Sequence, residues 1–81
     1  VRVRVLAFAR LRELLGAGSL ERTIPEGATA AEAWDALAAE FPALVPLAAS
    51  TRLVRNGTAI GRDAALRDGD ELALLPPFGG G

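Results

Sequence analysis

The chain of 81 residues predicts an α+β fold: a single sheet with one long helix packed across one face. Three observations lead there. Both ends of the chain carry strand-like runs, "VRVRVLAF" and "ELALL", and a third β segment folds around Asn56-Gly57. A capping box opens one long amphipathic helix in the middle. No second stripe of comparable length exists, so one helix has to cover the sheet.

Taken in order, Val1 to Phe8 reads as a strand. Val1, Val3, Val5 and Ala7 share one face, while Arg2, Arg4, Leu6 and Phe8 share the other. Arg2 and Arg4 then mark a solvated sheet face. "ARLRELLG" is two turns of helix with Leu11, Leu14 and Leu15 inward and Gly16 as its stop. "SLERTIP" is a shorter strand, paired most simply with the first and ended by Pro25 and Gly27. Thr29-Ala30-Ala31-Glu32 is the capping box: the threonine oxygen takes a free N–H and the glutamate reaches back to the cap. Ala30, Ala33, Trp34, Leu37 and Phe41 then fall on one stripe, which makes Trp34 a core residue, and Pro42 stops the helix.

"PALVPLAAS", with two prolines, reads as a loop or irregular crossing. "TRLVRNGTAI" is a hairpin, since Asn-Gly suits the primed turns that match strand twist. Leu66 is expected as a core plug under the turn-rich "GRDAALRDGD". Asp68-Gly69-Asp70 is expected as a turn, because a calcium loop needs more ligands at fixed spacing and a distant glutamate. Glu71 to Leu75 is the last strand, with Leu72 and Leu74 on one face and Glu71, Ala73 and Leu75 on the other.

Composition narrows function. The chain is 51% hydrophobic and 23% charged, as in a globular domain, and its length fills one core only. It has no Cys, His, Tyr, Met or Lys; all nine basic residues are arginine. Neither a disulfide nor a histidine–cysteine metal site is therefore available. Most side chains that act as bases or nucleophiles near neutral pH are missing, and arginine does not shuttle protons. The chain on its own is expected not to be an enzyme and to bind no cofactor. A net charge of −1 argues against general nucleic-acid binding. No run approaches the roughly 18 apolar residues of a membrane span. The arginine alternation at the start is unlike a signal peptide, so the expected location is the cytoplasm.

Two features are left over. With one long helix, Leu6, Phe8 and Leu75 form an apolar outer face, unless the short helix or the proline-rich segment folds over it. The chain then ends "LLPPFGGG". Pro76-Pro77 favours an extended spur, and at about 3.3 Å per residue the last six residues reach roughly 20 Å. Glycine lets the end thread a narrow channel, so the cargo is whatever the terminal carboxylate can become. An ionised carboxylate is a poor electrophile, but AMP transfer from ATP makes it a mixed anhydride open to sulfur or amine nucleophiles. Three glycines alone are equally a frayed end or cloning remnant; behind "DGDELALLPPF" the instrument is the better reading.

"VRVLAFARLRELLG", "VRNG" and "LRDGDELALLPPFGGG" resemble the small subunits of molybdopterin synthase, the MoaD group of sulfur carriers. The resemblance runs over nearly the whole chain, and its specific parts are Phe8 to Gly16 and Asp68 to Gly81. It implies a ubiquitin-like β-grasp with a mixed sheet over residues 1–75 and an extended flexible tail over 76–81. It also implies that Gly81 is adenylated with ATP by an adenylyltransferase of the ubiquitin-activating type, then thiocarboxylated by a sulfur donor system. The loaded tail would donate sulfur to cyclic pyranopterin monophosphate inside the large subunit. Gly80 is then the required neighbour of Gly81, and Phe8, Leu75, Pro76, Pro77, Phe78 and Gly79 are partner contacts. A heterotetramer, with two small subunits at the ends of a large-subunit dimer, follows in the same way. Gly79 stands where relatives often carry alanine or a small polar residue, and Arg55 interrupts an apolar run that is longer in many of them. Related carriers for thiazole synthesis or tRNA thiolation use the same tail. Two readings of other classes are a ubiquitin-like modifier conjugated through Gly81 and an adaptor whose glycine end has no chemistry.

Overall fold

A computed structural model describes residues 1–76. Five strands form one sheet: β1 (Arg2–Ala7), β2 (Ser19–Thr23), β3 (Arg52–Arg55), β4 (Thr58–Ile60) and β5 (Glu71–Leu75). Their order is β2-β1-β5-β3-β4. β1 pairs antiparallel with β2 and parallel with β5, so the first and last strands lie side by side at the centre of a mixed sheet. β3 pairs antiparallel with both β5 and β4. This is the ubiquitin-like β-grasp.

The alternation in β1 sends Val3, Val5 and Ala7 into the core, and Leu72 and Leu74 of β5 join them. Above that face lies α2 (Ala30–Glu40), which buries Ala30, Ala33, Trp34 and Leu37. Its capping box is complete: Thr29 Oγ1 accepts the Glu32 N–H at 3.2 Å, and Glu32 Oε1 accepts the Thr29 N–H at 3.1 Å. At the far end the bidentate pair of Arg22 with Glu40, at 3.1 and 2.6 Å, ties edge strand β2 to the helix. Both partners are partly exposed, so the pair adds at most about 1 kcal/mol.

α1 (Arg10–Leu15) is too short to persist alone. It is held by Leu11 and Leu15, which insert into the same core, and by Gly16, whose φ of 75° supplies the left-handed cap.

Two sequence expectations change here. The crossing after α2 is a 3₁₀ helix (Pro42–Leu47) instead of an irregular loop, and it buries Leu44 completely. Pro42 and Pro46 lack the N–H groups an α-helix would use, yet i→i+3 bonds such as Leu44 N–H to Phe41 C=O, 3.0 Å, remain available. The first strand ends at Ala7, one residue before Phe8, because the Phe8 carbonyl turns to accept the Leu11 N–H at 3.1 Å. The hairpin is as expected: Asn56 and Gly57 have φ of 49° and 84°, the signs a type I′ turn requires. Leu66 is buried, and Asp68-Gly69-Asp70 forms the turn into β5.

Candidate functional site: the outer sheet face at the root of the tail

The pairing registers define what the uncovered face of the sheet presents. Leu6 of β1 is opposite Ala73 of β5, Ala73 is opposite Val54 of β3, and Val54 is opposite Ala59 of β4. These four residues make one apolar row across four strands. One step towards the end of β5, Leu75 is opposite Arg52. On the other side of Leu75, Phe8 follows Ala7, which pairs with Leu74. Phe8 is 45% exposed. None of Leu6, Phe8, Val54, Ala59, Ala73 and Leu75 packs against the hydrophobic core.

The alternative in which the short helix or the proline-rich segment covers this face does not hold. Leu11, Leu15 and Leu44 all enter the core on the opposite side of the sheet. Among the described residues, no helix lies over the apolar row, in which Leu6, Val54 and Ala73 are half-buried among their sheet neighbours and Ala59 is exposed.

The opposite end of the same face is charged. Arg4 lies between Glu21 and Glu71 in register, and Arg2 is ion-paired with Glu21. An open hollow of about 320 Å³ there is lined by Arg2, Arg4, Glu21, Asp68 and Glu71 among others. A larger groove, about 540 Å³, lies at the apolar end between Thr51, Arg52, Val54, Ala59, Arg62 and Leu75. In the direction of β5 the face therefore runs from a cluster of both charges to an apolar end edged by Arg52 and Arg62, and the chain leaves it there. Leu75 and Pro76 are half-buried. Pro77, Phe78, Gly79, Gly80 and Gly81 lie outside the described residues.

The turn that carries Phe8 into α1 is unusual. Ala9 has φ 51° and ψ −126°, angles at which a β-carbon is crowded. Such a conformation costs on the order of 1–3 kcal/mol. Helical patterning over residues 9–16 gave no sign of it, since alanine is an ordinary helix residue. Alternation already put Ala73 on the Leu75 face, but the contributions of Val54 and Ala59 to the row were missed. They depend on β3 lying beside β5, a pairing that local pattern does not encode.

The model of the ThiS family matches residues 5–81. The chain belongs to the ThiS family. It is 37% identical to the molybdopterin synthase sulfur carrier subunit of Arabidopsis thaliana over 81 residues, covering 100% of this chain and 84% of that one. It is also 37% identical to small archaeal modifier protein 1 of Haloferax volcanii over 82 residues, covering 91% and 94%. A crystal structure of that Haloferax protein superposes with a TM-score of 0.88 at 32% identity, covering 100% of both chains.

Proposed function

We propose that this ThiS-family chain is the sulfur-carrying small subunit of molybdopterin synthase, with Gly81 as the loading point. The observation that supports this most is the placement of the apolar half of the outer face around the root of β5. A partner that covers Leu6, Phe8, Val54, Ala73 and Leu75 would hold the chain where its last residues depart.

The chemistry needs nothing from the side chains of this protein. The Gly81 carboxylate attacks the α-phosphorus of ATP in an adenylyltransferase of the ubiquitin-activating type, and pyrophosphate leaves. A sulfide-level nucleophile from the donor system displaces AMP from the anhydride and leaves a thiocarboxylate. In the large subunit that sulfur attacks an oxygen-bearing side-chain carbon of cyclic pyranopterin monophosphate; the C–S bond forms as the C–O bond there breaks and the oxygen leaves as water or as a phosphate-ester oxygen. Hydrolysis of the resulting thioester bond returns the carboxylate and leaves sulfur on the pterin. A dithiolene needs two sulfurs, so two loaded chains are consumed per molybdopterin, in keeping with a heterotetramer. Acid–base groups come from the large subunit, since this chain has neither histidine nor lysine. Adenylation and transfer belong to the cytoplasm, where ATP is available.

Reconstitution tests the reading. Thiocarboxylated chain mixed with large subunit and cyclic pyranopterin monophosphate should form molybdopterin. If it forms none, yet supplies sulfur to thiazole synthesis or tRNA thiolation enzymes, the recipient is wrong and a sibling carrier role replaces it.

The Haloferax relative's name as a modifier supports a second reading, conjugation of Gly81 to lysines of other proteins. Isopeptide-linked products on target proteins would favour it. Lysine-linked chains of this protein on itself are ruled out, because the sequence has no lysine.

A further inference from the structure

Among the described residues, positive φ occurs at Gly16, Gly27, Gly57 and Gly69, at Asn56, and at Ala9. Glycine takes such angles freely and asparagine tolerates the left-handed region. Ala9 is different. Its φ of 51° and ψ of −126° match the second position of a type II′ turn, where glycine is the favoured residue. The Leu11 N–H donates to the Phe8 carbonyl at 3.1 Å and closes that turn. The strain is imposed from both sides: Ala7 is fixed in the central strand and core, and Leu11 is 1% exposed in the same core.

The methyl group gives nothing back to the fold. Ala9 is exposed, so its β-carbon buries no surface against the chain's own core. By folding alone, glycine would serve better. Ala9 is, however, the immediate neighbour of Phe8, which is itself exposed and follows Ala7 at the end of β1 that pairs with Leu74.

We infer that Ala9 is a contact and positioning residue of the partner-binding face, its methyl seated against an apolar surface of the large subunit. Binding thereby offsets a conformation that weakens the free protein. This rests on the reading that the Phe8–Leu75 face is where the large subunit docks.

The test compares the full chain with Ala9→Gly and Phe8→Ala, measuring thermal stability of each and affinity for the purified large subunit of the same organism. Ala9→Gly should raise Tm by about 4 °C, because relief of strain exceeds the added freedom of glycine. The same variant should bind about fourfold more weakly, the fold-change that burial of one methyl group represents. Opposite signs are the signature, since a purely structural residue moves both in one direction. Unchanged or tighter binding by Ala9→Gly, with Phe8→Ala clearly weakened, overturns the role of Ala9 and leaves the docking face standing. A lowered Tm for Ala9→Gly overturns it as well. Full binding by Phe8→Ala removes the docking face itself, and Ala9 with it.

Discussion

The side chain of Asn56, in the hairpin turn, is locked to Asp70, the residue before β5, by an Nδ2–H to Oδ1 hydrogen bond of 2.9 Å across 14 positions of sequence. The other Asp70 oxygen accepts the Arg67 N–H at 2.7 Å, and Asn56 Oδ1 accepts the Glu71 N–H at 2.9 Å. Asp70 is only 9% exposed, so a single carboxylate joins two turns that set the register of β3 against β5. That register is what aligns Val54 with Ala73 and Arg52 with Leu75 on the outer face.

Asp70 should make stability acid-sensitive. The Arg67 N–H holds its carboxyl below the ordinary value of 3.8; burial opposes this, while the Asn56 amide and the charges of Arg55 and Arg67 assist it. A carboxyl depressed in the folded state stabilises the protein fully above its unfolded pKa, and that contribution is lost as pH falls through the folded value. Urea midpoints should therefore hold from neutrality to about pH 5 and fall below about pH 4. In Asp70→Asn the part of that fall due to this group should be absent, at a lower starting stability.

Asp70→Ala should cost about 2–3 kcal/mol, since it removes a charge-assisted acceptor and leaves the Arg67 N–H without its partner. Asn56→Gly should cost less, about 1 kcal/mol, because glycine keeps the φ of 49° without strain and the exposed turn lets water replace part of what is lost. Chemical denaturation of both variants checks the order.

Leu75→Glu should leave folding nearly intact, because Leu75 does not pack against the core. Binding to the large subunit should weaken by about 2 kcal/mol, the loss expected when a carboxylate replaces a leucine on a docking face. Calorimetry or surface binding reads this directly, with circular dichroism as the folding control.

Thr29→Ala should show the converse. It removes the cap of α2 and should cost about 1 kcal/mol of stability. α2 packs on the core side of the sheet, so affinity for the large subunit should stay within error of the unsubstituted chain.

These contrasts follow the line between what the sequence made legible and what it did not. Period-two alternation identified the inward valines, and the capping box located α2 to the residue, because both signals are local. Phe8 and Leu75 could be assigned to the outer face from alternation alone, given one helix. Val54 and Ala59 could not be placed there, since their face depends on which strand β3 adopts as a neighbour far away in sequence. The 3₁₀ helix was obscured because its two prolines are as compatible with a loop. Ala9 left no trace, as its backbone is dictated by Ala7 and Leu11 being held in place on either side.

The central claim is that the reactive group is the carboxylate of Gly81, and intact-mass measurement addresses it most directly. The full chain is incubated with ATP, a sulfur source and the cognate adenylyltransferase, beside a variant lacking Gly80 and Gly81. The account predicts the mass gain of one oxygen-for-sulfur exchange, localised to the C-terminal residue, in the full chain and none in the shortened but folded variant. An unchanged mass under conditions that load an established carrier, or equal loading of the shortened chain, would contradict it.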